Sequence, residues 1–195
     1  MLRLGLTGSI ATGKSTTLRA FADLGVPVFS SDEAVHELYR GEAVPPVERL
    51  FPGVARDGII DRTELSRRLL AEPARLAELE AVVHPLVRAR MSQFLDLAER
   101  NGAKLAVVDI PLLYETGFDY GLDKVAVTWC DPAIQRERAL RRPAMTVDKL
   151  DAILARQMPQ DEKKKRADYL FDTGRPVEAV RAEVRTLVEK LNAGQ

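Results

Sequence analysis

The sequence predicts an α/β fold: a parallel five-stranded sheet between two layers of helices. Short apolar runs rich in β-branched residues alternate with segments of helical period, the pattern of strands joined by crossover helices. A glycine-rich turn follows the first of these runs and leads into a helical segment, as in proteins that bind phosphate at a helix N-terminus. The runs expected to be strands are Leu2–Thr7, Val26–Ser30, Leu105–Ile110, Lys124–Trp129 and Tyr169–Asp172.

The helical segments at the two ends of the chain are the clearest. The first follows Lys14, carries Leu18 and Phe21 on one face, and is expected to end at Gly25, since glycine commonly ends a helix. In the last, apolar residues recur every three or four positions from Val177 to Leu191, which marks one buried face. Both helices are therefore expected to pack on the sheet.

Two long interruptions of the alternating pattern predict two further parts. The interval 31–103 is far longer than one crossover needs and reads as helical, so we expect an inserted helical lobe there. The charged, helical interval 141–167 is expected to form a mobile lid. The remaining segments, 1–30, 104–140 and 168–195, are expected to form the nucleotide-binding core.

Composition limits the classes of function. The 195 residues are 46% hydrophobic and 30% charged, as in one globular domain with insertions. Because 29 basic residues balance 29 acidic ones, the surplus of cations typical of nucleic-acid-binding proteins is missing. The single cysteine, Cys130, excludes an internal disulfide. The charge balance therefore predicts no nucleic-acid partner. A monomer or weak homo-oligomer is expected as well, although composition does not determine it.

The uncharged stretches are short. The longest, Leu4 to Gly13, has ten residues and is about half of what a membrane span needs. Cleavage of an N-terminal leader would destroy the motif that begins at residue 8. The sequence thus predicts a cytoplasmic protein without a membrane partner.

Residues 8–15, Gly-Ser-Ile-Ala-Thr-Gly-Lys-Ser, match the phosphate-loop pattern Gly-x-x-x-x-Gly-Lys-Ser/Thr at every fixed position. The glycines let successive N–H groups turn inward toward phosphate oxygens, and the following helix adds its positive end. Lys14 supplies a full positive charge, and the Ser15 hydroxyl can ligate the magnesium that bridges the phosphates. The residues expected to bind ATP are Gly8, Ala11, Thr12, Gly13, Lys14, Ser15 and Thr16.

A phosphate loop alone leaves several classes of protein open. The guanine-reading Asn-Lys-x-Asp motif is missing, because neither Asn101 nor Asn192 begins one, which disfavours a GTPase. A non-enzymatic nucleotide-binding switch, and a kinase for another nucleoside phosphate, remain alternatives to a kinase with a small-molecule acceptor.

Two acidic residues follow predicted strands, at the edge where open α/β sheets bind ligands. Asp32 comes after the second strand, which we expect beside the strand of the phosphate loop. It could orient the attacking hydroxyl as a base, or Ser31 or Asp32 could instead cap a helix over Glu33–Tyr39. Asp109 ends the third strand and is expected to hold magnesium, directly or through water; the alternative is a solvated strand-end acid.

A set of motifs in fixed order resembles the dephospho-CoA kinase family over nearly the whole chain, to about residue 190. The two most specific are His84-Pro-Leu-Val-Arg88 and Asp109-Ile-Pro-Leu-Leu-Tyr-Glu115. The others are the phosphate loop with its flanks, Asp32, Asp57-Gly58, Asp61-Arg62 and Gln157-Met158-Pro159.

The resemblance implies a three-layer phosphate-loop kinase with a helical lobe for the acceptor and a helical lid. It implies transfer of the ATP γ-phosphate to the ribose 3′-hydroxyl of dephospho-CoA with Mg²⁺, the last step of coenzyme A biosynthesis. It assigns Asp32 as base, with the acceptor bound by Asp32, His84, Arg88, Asp109, Leu112 and Glu115. The chain departs from the family at Ser30-Ser31-Asp32, where the family has Asp-Ala-Asp, and at Asp172-Thr173-Gly174, where it has Asp-Asn-x-Gly.

Arginines of the expected lid are candidates for contact with the transferred phosphoryl group. Gln135, Arg138 and Arg142 share one face of a helix opened by Asp131-Pro132, in a spacing that the family also has. A solvated, salt-bridged helix face is the alternative.

Two further segments have weaker signals. His84 and Pro85 are expected at a helix start, and the alternative to acceptor binding for His84 is a cap or packing role. Lys163, Lys164 and Lys165 are expected on a solvated helix face, although Lys163 matches a family lysine near the lid.

Overall fold

The structure is a computed structural model that describes residues 1–193 and divides the chain into two compact units. One unit holds Met1–Phe29 and the chain from Leu97 onward, and the other holds Ser30–Asp96. Residues 194–195, the end of the expected core segment 168–195, lie outside the described residues. The division of labour between core, acceptor lobe and lid stays a prediction.

Five strands form the main sheet, and the predicted α/β class is confirmed. The strands are β1 (Leu2–Gly8), β2 (Val28–Ser30), β5 (Leu105–Asp109), β6 (Lys124–Trp129) and β7 (Tyr169–Asp172). Their order is β2-β5-β1-β6-β7, and the β5–β1, β1–β6 and β6–β7 pairs are parallel. Leu4, Leu6 and Val107 are fully buried in it, as expected of a sheet covered on both faces.

The strand order corrects one expectation. The second strand was expected beside the strand of the phosphate loop, but β5 lies between them. Sequence order does not determine sheet order in a doubly wound fold, because a long insertion lets the chain return at another position. Asp109, rather than Asp32, thus ends the strand next to β1.

Helices of the first unit alternate with these strands along the chain. They are α1 (Lys14–Ala22), α6 (Pro132–Leu140), α7 (Val147–Arg156), α8 (Gln160–Arg166) and α9 (Val177–Ala193). Phe21 of α1 meets Phe171 of β7 edge-to-face, with ring centroids 6.0 Å apart. Leu18, Val180 and Val184 join the same buried cluster, so the two terminal helices share one core.

The second unit is helical, as expected of the insertion. It contains α2 (Ser31–Leu38), α3 (Val44–Leu50), α4 (Arg62–Ala71), a 3₁₀ turn (Pro73–Arg75) and most of α5 (Leu76–Arg100). A hairpin of β3 (Ala55–Arg56) and β4 (Ile59–Ile60) was not predicted, because strands of two residues carry no periodic pattern. Asp57 and Gly58 turn it with positive φ angles of 51° and 76°, as tight hairpins require.

One local expectation in this unit is wrong, and so is one of the alternatives that the sequence left open. Helix α5 continues through Pro85, so His84 does not start a helix. Proline removes one helical hydrogen bond, and burial along one face on both sides of it keeps the helix intact. In α2 the cap is Ser30, whose Oγ accepts from the Glu33 N–H at 3.3 Å, and not Ser31 or Asp32. The buried residues of α5 are Leu79, Val83, Met91, Leu95 and Ala98.

Among residues 1–193, no helix has both the length and the apolar character that crossing a bilayer demands.

Removal of the Phe21 ring should destabilise the first unit. Phe21 is fully buried against Phe171, so Phe21→Ala leaves a cavity and should lower the free energy of unfolding by about 3–5 kcal/mol. The matched control is Leu97→Ala at an exposed position, which should change it by no more than about 0.5 kcal/mol. Chemical denaturation measures both, and equal effects would contradict the assigned core.

Candidate active site

The phosphate loop joins β1 to α1 through a turn with two left-handed residues. Gly13 has φ +78°, which glycine adopts freely, whereas Ala11 has φ +60°. A left-handed conformation costs a residue with a Cβ about 1 kcal/mol or more, so surrounding contacts must hold Ala11 in place. The loop is therefore a strained turn stabilised from outside.

The helix that follows offers unpaired donors. Lys14, Ser15 and Thr16 are its first three residues, and their N–H groups lack helical acceptors, whereas the Thr17 N–H reaches the Gly13 carbonyl at 3.1 Å. Ser15 and Thr16 are exposed. These donors and the helix dipole make an anion site directly after the loop.

Threonine hydroxyls hold the loop from behind. The Thr12 hydroxyl donates to the Ser9 carbonyl at 2.8 Å and lies 2.9 Å from the Thr128 hydroxyl on β6. The Thr173 hydroxyl lies within hydrogen-bond distance of the Thr12 and Trp129 carbonyls, at 2.9 and 3.1 Å. Because Thr12 is buried and used in this way, its side chain supports the loop instead of facing a ligand.

The two fixed glycines are required by this packing. A Cβ on Gly8 would come within 2.2 Å of the Thr128 hydroxyl and 2.6 Å of the Thr12 hydroxyl. A Cβ on Gly13 would meet the Thr173 side chain at 2.9–3.1 Å. Close approach of the backbone to β6 and to the loop after β7 therefore explains both positions.

Lys14 and Asp109 form an ion pair beside the loop. In the register of the sheet, Leu6 pairs with Asp109, so the end of β5 lies next to the end of β1. The Lys14 ammonium donates to Asp109 Oδ1, and the two side chains are 12% and 2% exposed. Asp109 is thus not a solvated strand-end acid, and that alternative is wrong.

Oxygen donors at this place suit magnesium. The exposed hydroxyl of Ser15 and the carboxylate of Asp109 belong to the hard ligands that Mg²⁺ prefers, together with substrate phosphates. Within residues 1–193, no group of three or more His, Cys, Asp or Glu side chains could hold a metal alone. The donor set therefore fits an ion brought with a nucleotide.

Both polar groups of Ile10 in the loop are bound by glutamine side chains. Gln157 Oε1 accepts from the Ile10 N–H at 2.9 Å, and Gln135 Nε2 donates to the Ile10 carbonyl at 2.8 Å. Next to them, the side chain of Ala11 packs against Leu150 and Ala139. The strained part of the loop is consequently held by α6, α7 and the residue that follows α7.

A buried ion pair holds the backbone next to Gln157. Lys163 has no exposed side-chain surface, and its Nζ lies 2.7 Å from Oε1 of Glu115, which is 14% exposed. The same Glu115 oxygen accepts from the Met158 N–H at 2.8 Å. The expectation that Lys163 lies on a solvated face is therefore wrong, because three lysines in a row occupy different sides of a helix, and only Lys163 points inward.

The candidate lid arginines do not share a helix face. Arg138 Nη2 donates to the Thr173 carbonyl at 2.9 Å, and Gln135 is buried. Helix α6 ends at Leu140, before Pro143, so Arg142 lies in the turn beyond it and is exposed. The predicted common face thus holds for Gln135 and Arg138 and is wrong for Arg142.

Candidate acceptor residues fall in both units. Asp32 is exposed in the first turn of α2, and His84 and Arg88 are one turn apart on α5, all in the second unit. Asp109, Leu112 and Glu115 belong to the first unit, where residues 111–115 form turns after β5. The roles assigned to these residues stay predictions.

Sequence reasoning missed most of the loop's supports. Thr128 and Gln160 had no assigned role, and Thr173 and Gln157 were only parts of motifs. The available signals were the two motif segments that contain them, Gln157-Met158-Pro159 and Asp172-Thr173-Gly174. Burial raises the pKa of the Cys130 thiol, in keeping with the absence of an expected chemical role for it.

Comparison with known proteins decides the family. The sequence profile of dephospho-CoA kinase matches residues 2–177. A dephospho-CoA kinase of Rhizobium meliloti is 53% identical over 194 residues, with 100% of both chains covered. One from Rhodopseudomonas palustris is 52% identical, with 97% of this chain and 95% of the relative covered. The chain belongs to the dephospho-CoA kinase family. It is an enzyme of the kinase class.

Solved structures agree with this membership. A Thermus thermophilus protein, TT1252, is 30% identical with a TM-score of 0.80, and each chain is 97% covered. A dephospho-CoA kinase from Campylobacter jejuni is 25% identical with a TM-score of 0.74, each 98% covered. A shikimate kinase from Acinetobacter baumannii is 15% identical with a TM-score of 0.57, covering 100% of this chain and 95% of its own, and shares the fold.

Gly8→Ala should disable the loop. The added methyl group collides with the hydroxyls of Thr128 and Thr12, so the loop must move and ATP affinity should fall by at least about ten-fold, or 1.4 kcal/mol. Gly41→Ala is the control, since its Cβ would meet only the Glu37 carbonyl, at 3.9 Å. Calorimetric titration with ATP measures both; unchanged affinity in Gly8→Ala would refute the close packing.

Proposed function

We propose that the first unit holds ATP and that the γ-phosphate passes to the ribose 3′-hydroxyl of dephospho-CoA. ATP-dependent phosphorylation of dephospho-CoA, the last step of coenzyme A biosynthesis, is the activity of the family to which the chain belongs. The observation that supports this site most strongly is the Lys14–Asp109 pair at the edge of β1 and β5, next to the free donors of α1. We also propose a cytoplasmic location, where ATP is available, and a monomer or weak homo-oligomer without a nucleic-acid partner.

The loop stabilises negative charge on the triphosphate. The N–H groups of Ala11 and Gly13 through Thr16 are the proposed ligands of the phosphate oxygens, with the Lys14 ammonium beside them. Lys14 must exchange its contact with Asp109 for one with phosphate, or share it, and an adjacent carboxylate keeps the ammonium near the place where it is needed. Much of the rate acceleration comes from such fixed charges and dipoles.

Ser15 and Asp109 would hold magnesium. The ion would supply positive charge that offsets the negative charge of the phosphate groups. Asp109 serves through its carboxylate, directly or through water, and Ser15 through its hydroxyl. Their placement at neighbouring ends of β5 and α1 supports both assignments.

Asp32 is the proposed base. Its carboxylate is exposed and is not the cap of α2, which leaves it able to accept or orient the proton of the acceptor hydroxyl. His84, Arg88 and Leu112 are proposed to bind the acceptor, with the helical second unit as its main receptor. Ser30, where the family has an acidic residue, is used as the helix cap.

The two arginines have different proposed uses. Arg142 is exposed beyond α6 and is the better placed of the two to reach a transferred phosphoryl group. Arg138 donates to the Thr173 carbonyl, so it braces the loop after β7 and acts on the phosphate only if that contact is exchanged. The proposed lid spans 141–167, and its two buried side chains, Leu150 and Lys163, limit how far it can move.

A competition among acceptors tests the activity. The purified protein, given ATP and an equimolar mixture of dephospho-CoA, AMP and CMP, should form coenzyme A and ADP and leave the nucleotides unchanged. Excess EDTA should abolish turnover, and added Mg²⁺ should restore it. Mass spectrometry identifies the product. Phosphorylation of a nucleotide, or ADP release independent of dephospho-CoA, would support the alternative kinase or the switch.

Asp32→Asn should lower turnover far more than ATP binding. The amide cannot accept the proton, so kcat should fall by about 10²–10⁴-fold while the Kd for ATP changes less than about two-fold. Glu33→Gln, an exposed neighbour in the same turn, is the control and should keep normal turnover. Steady-state kinetics and calorimetry separate the two quantities; parallel losses in both would rule out the base role.

A further inference from the structure

The segment after α7 reaches directly into the phosphate loop. Gln157 Oε1 accepts from the N–H of Ile10, which precedes the strained Ala11 by one residue. The two partners are 147 residues apart in sequence. This contact fixes the orientation of a peptide group at the start of the turn that presents N–H donors to phosphate.

A strained turn needs such support. Ala11 remains at φ +60° only if its neighbours over-determine that conformation. The carbonyl of Ile10 is bound by Gln135, and Gln135 is itself oriented by Gln160, whose Nε2 donates to Gln135 Oε1 at 2.9 Å. Gln160 Oε1 then accepts from the Cys130 N–H at 3.1 Å, which ties the chain of amides to the end of β6.

Glu115 holds the backbone that carries Gln157. Its Oε1 accepts from the N–H of Met158, the next residue, and forms the ion pair with buried Lys163. The Lys163 ammonium is close to that oxygen but not aligned as a hydrogen bond, and among the described residues Glu115 Oε2 has no hydrogen-bond partner. A buried ion pair that leaves hydrogen-bonding groups unused contributes little to the stability of the fold. Positioning of the backbone at Met158 explains the Glu115–Lys163 pair better.

We infer that Gln157 and Glu115 are positioning residues for ATP, acting through a phosphate-loop clamp. The clamp consists of the Gln157 contact to Ile10, the Glu115 contact to Met158, and Lys163. It rests on the proposed function only in taking the loop as the ATP site. It differs from the resemblance, which assigns Glu115 to the acceptor, because here Glu115 acts on the nucleotide side.

Gln157→Met tests the first contact. Methionine has a similar length but no amide oxygen, so the Ile10 N–H loses its acceptor and the Kd for ATP should rise about five- to ten-fold. The KM for dephospho-CoA should stay within about two-fold. The control is Gln93→Met at an exposed position of α5. Calorimetry with ATP and magnesium, without acceptor, gives the Kd.

A pair of double variants tests Glu115 without leaving a lone buried charge. Glu115→Gln with Lys163→Met removes both charges but keeps an oxygen that can accept from Met158. Glu115→Leu with Lys163→Met removes both charges and that oxygen. The first should bind ATP within about two-fold of the parent, and the second should bind about five- to ten-fold more weakly. Thermal melting reports whether each variant is folded.

The outcomes separate the possibilities. Unchanged ATP affinity in Gln157→Met, or tighter binding because Gln157 blocks a phosphate donor, would overturn the clamp. A higher KM for dephospho-CoA with normal ATP affinity in the Glu115→Leu double variant would return Glu115 to the acceptor site. If the double variants do not fold, Gln157→Met decides alone. Because ATP binding is measured without acceptor, failure to phosphorylate dephospho-CoA would count against the proposed function and not against the clamp.

Discussion

The approach of the phosphate-loop backbone to β6 and to the loop after β7 is the constraint on which the rest of the site depends. A turn that directs several N–H groups inward cannot satisfy them internally, and one of its residues, Ala11, is held in a left-handed conformation. Glycine at positions 8 and 13 permits the approach, and the hydroxyls of Thr12, Thr128 and Thr173 hold it. Charge recognition by Lys14 is useful only because this frame is rigid.

Polar groups around the loop are used mainly to position other groups. Arg138 binds the Thr173 carbonyl, Gln135 binds Ile10, and Lys163 is buried against Glu115. On folding, these long polar side chains lose hydrogen bonds to water and form hydrogen bonds inside the protein. A buried network in which every polar group has a partner is rigid. The site therefore combines a few groups suited to contact phosphate with a larger set that fixes the backbone.

Local patterns predicted the elements well where burial is periodic. The five main strands were recognised to within about two residues, because β-branched apolar runs between turns have few other readings. Prediction was wrong where the same residue type occurs in two structural settings, as proline does at the start and in the middle of helices and lysine does at exposed and buried positions. Pro85 was taken as a helix start although the buried face continues past it, and Lys163 was taken as solvated because neighbouring lysines hid its inward direction.

By itself the sequence determined the fold class, the phosphate loop and the likeness to a kinase family, since each depends on residues adjacent in the chain or in a fixed motif order. Only the tertiary structure decided that β5 lies between β1 and β2, that Asp109 meets Lys14, and that Gln157 binds the loop. Lys14 and Asp109, for example, lie more than ninety positions apart in the sequence. Their partners are selected by packing in three dimensions, which leaves no periodic trace along the chain.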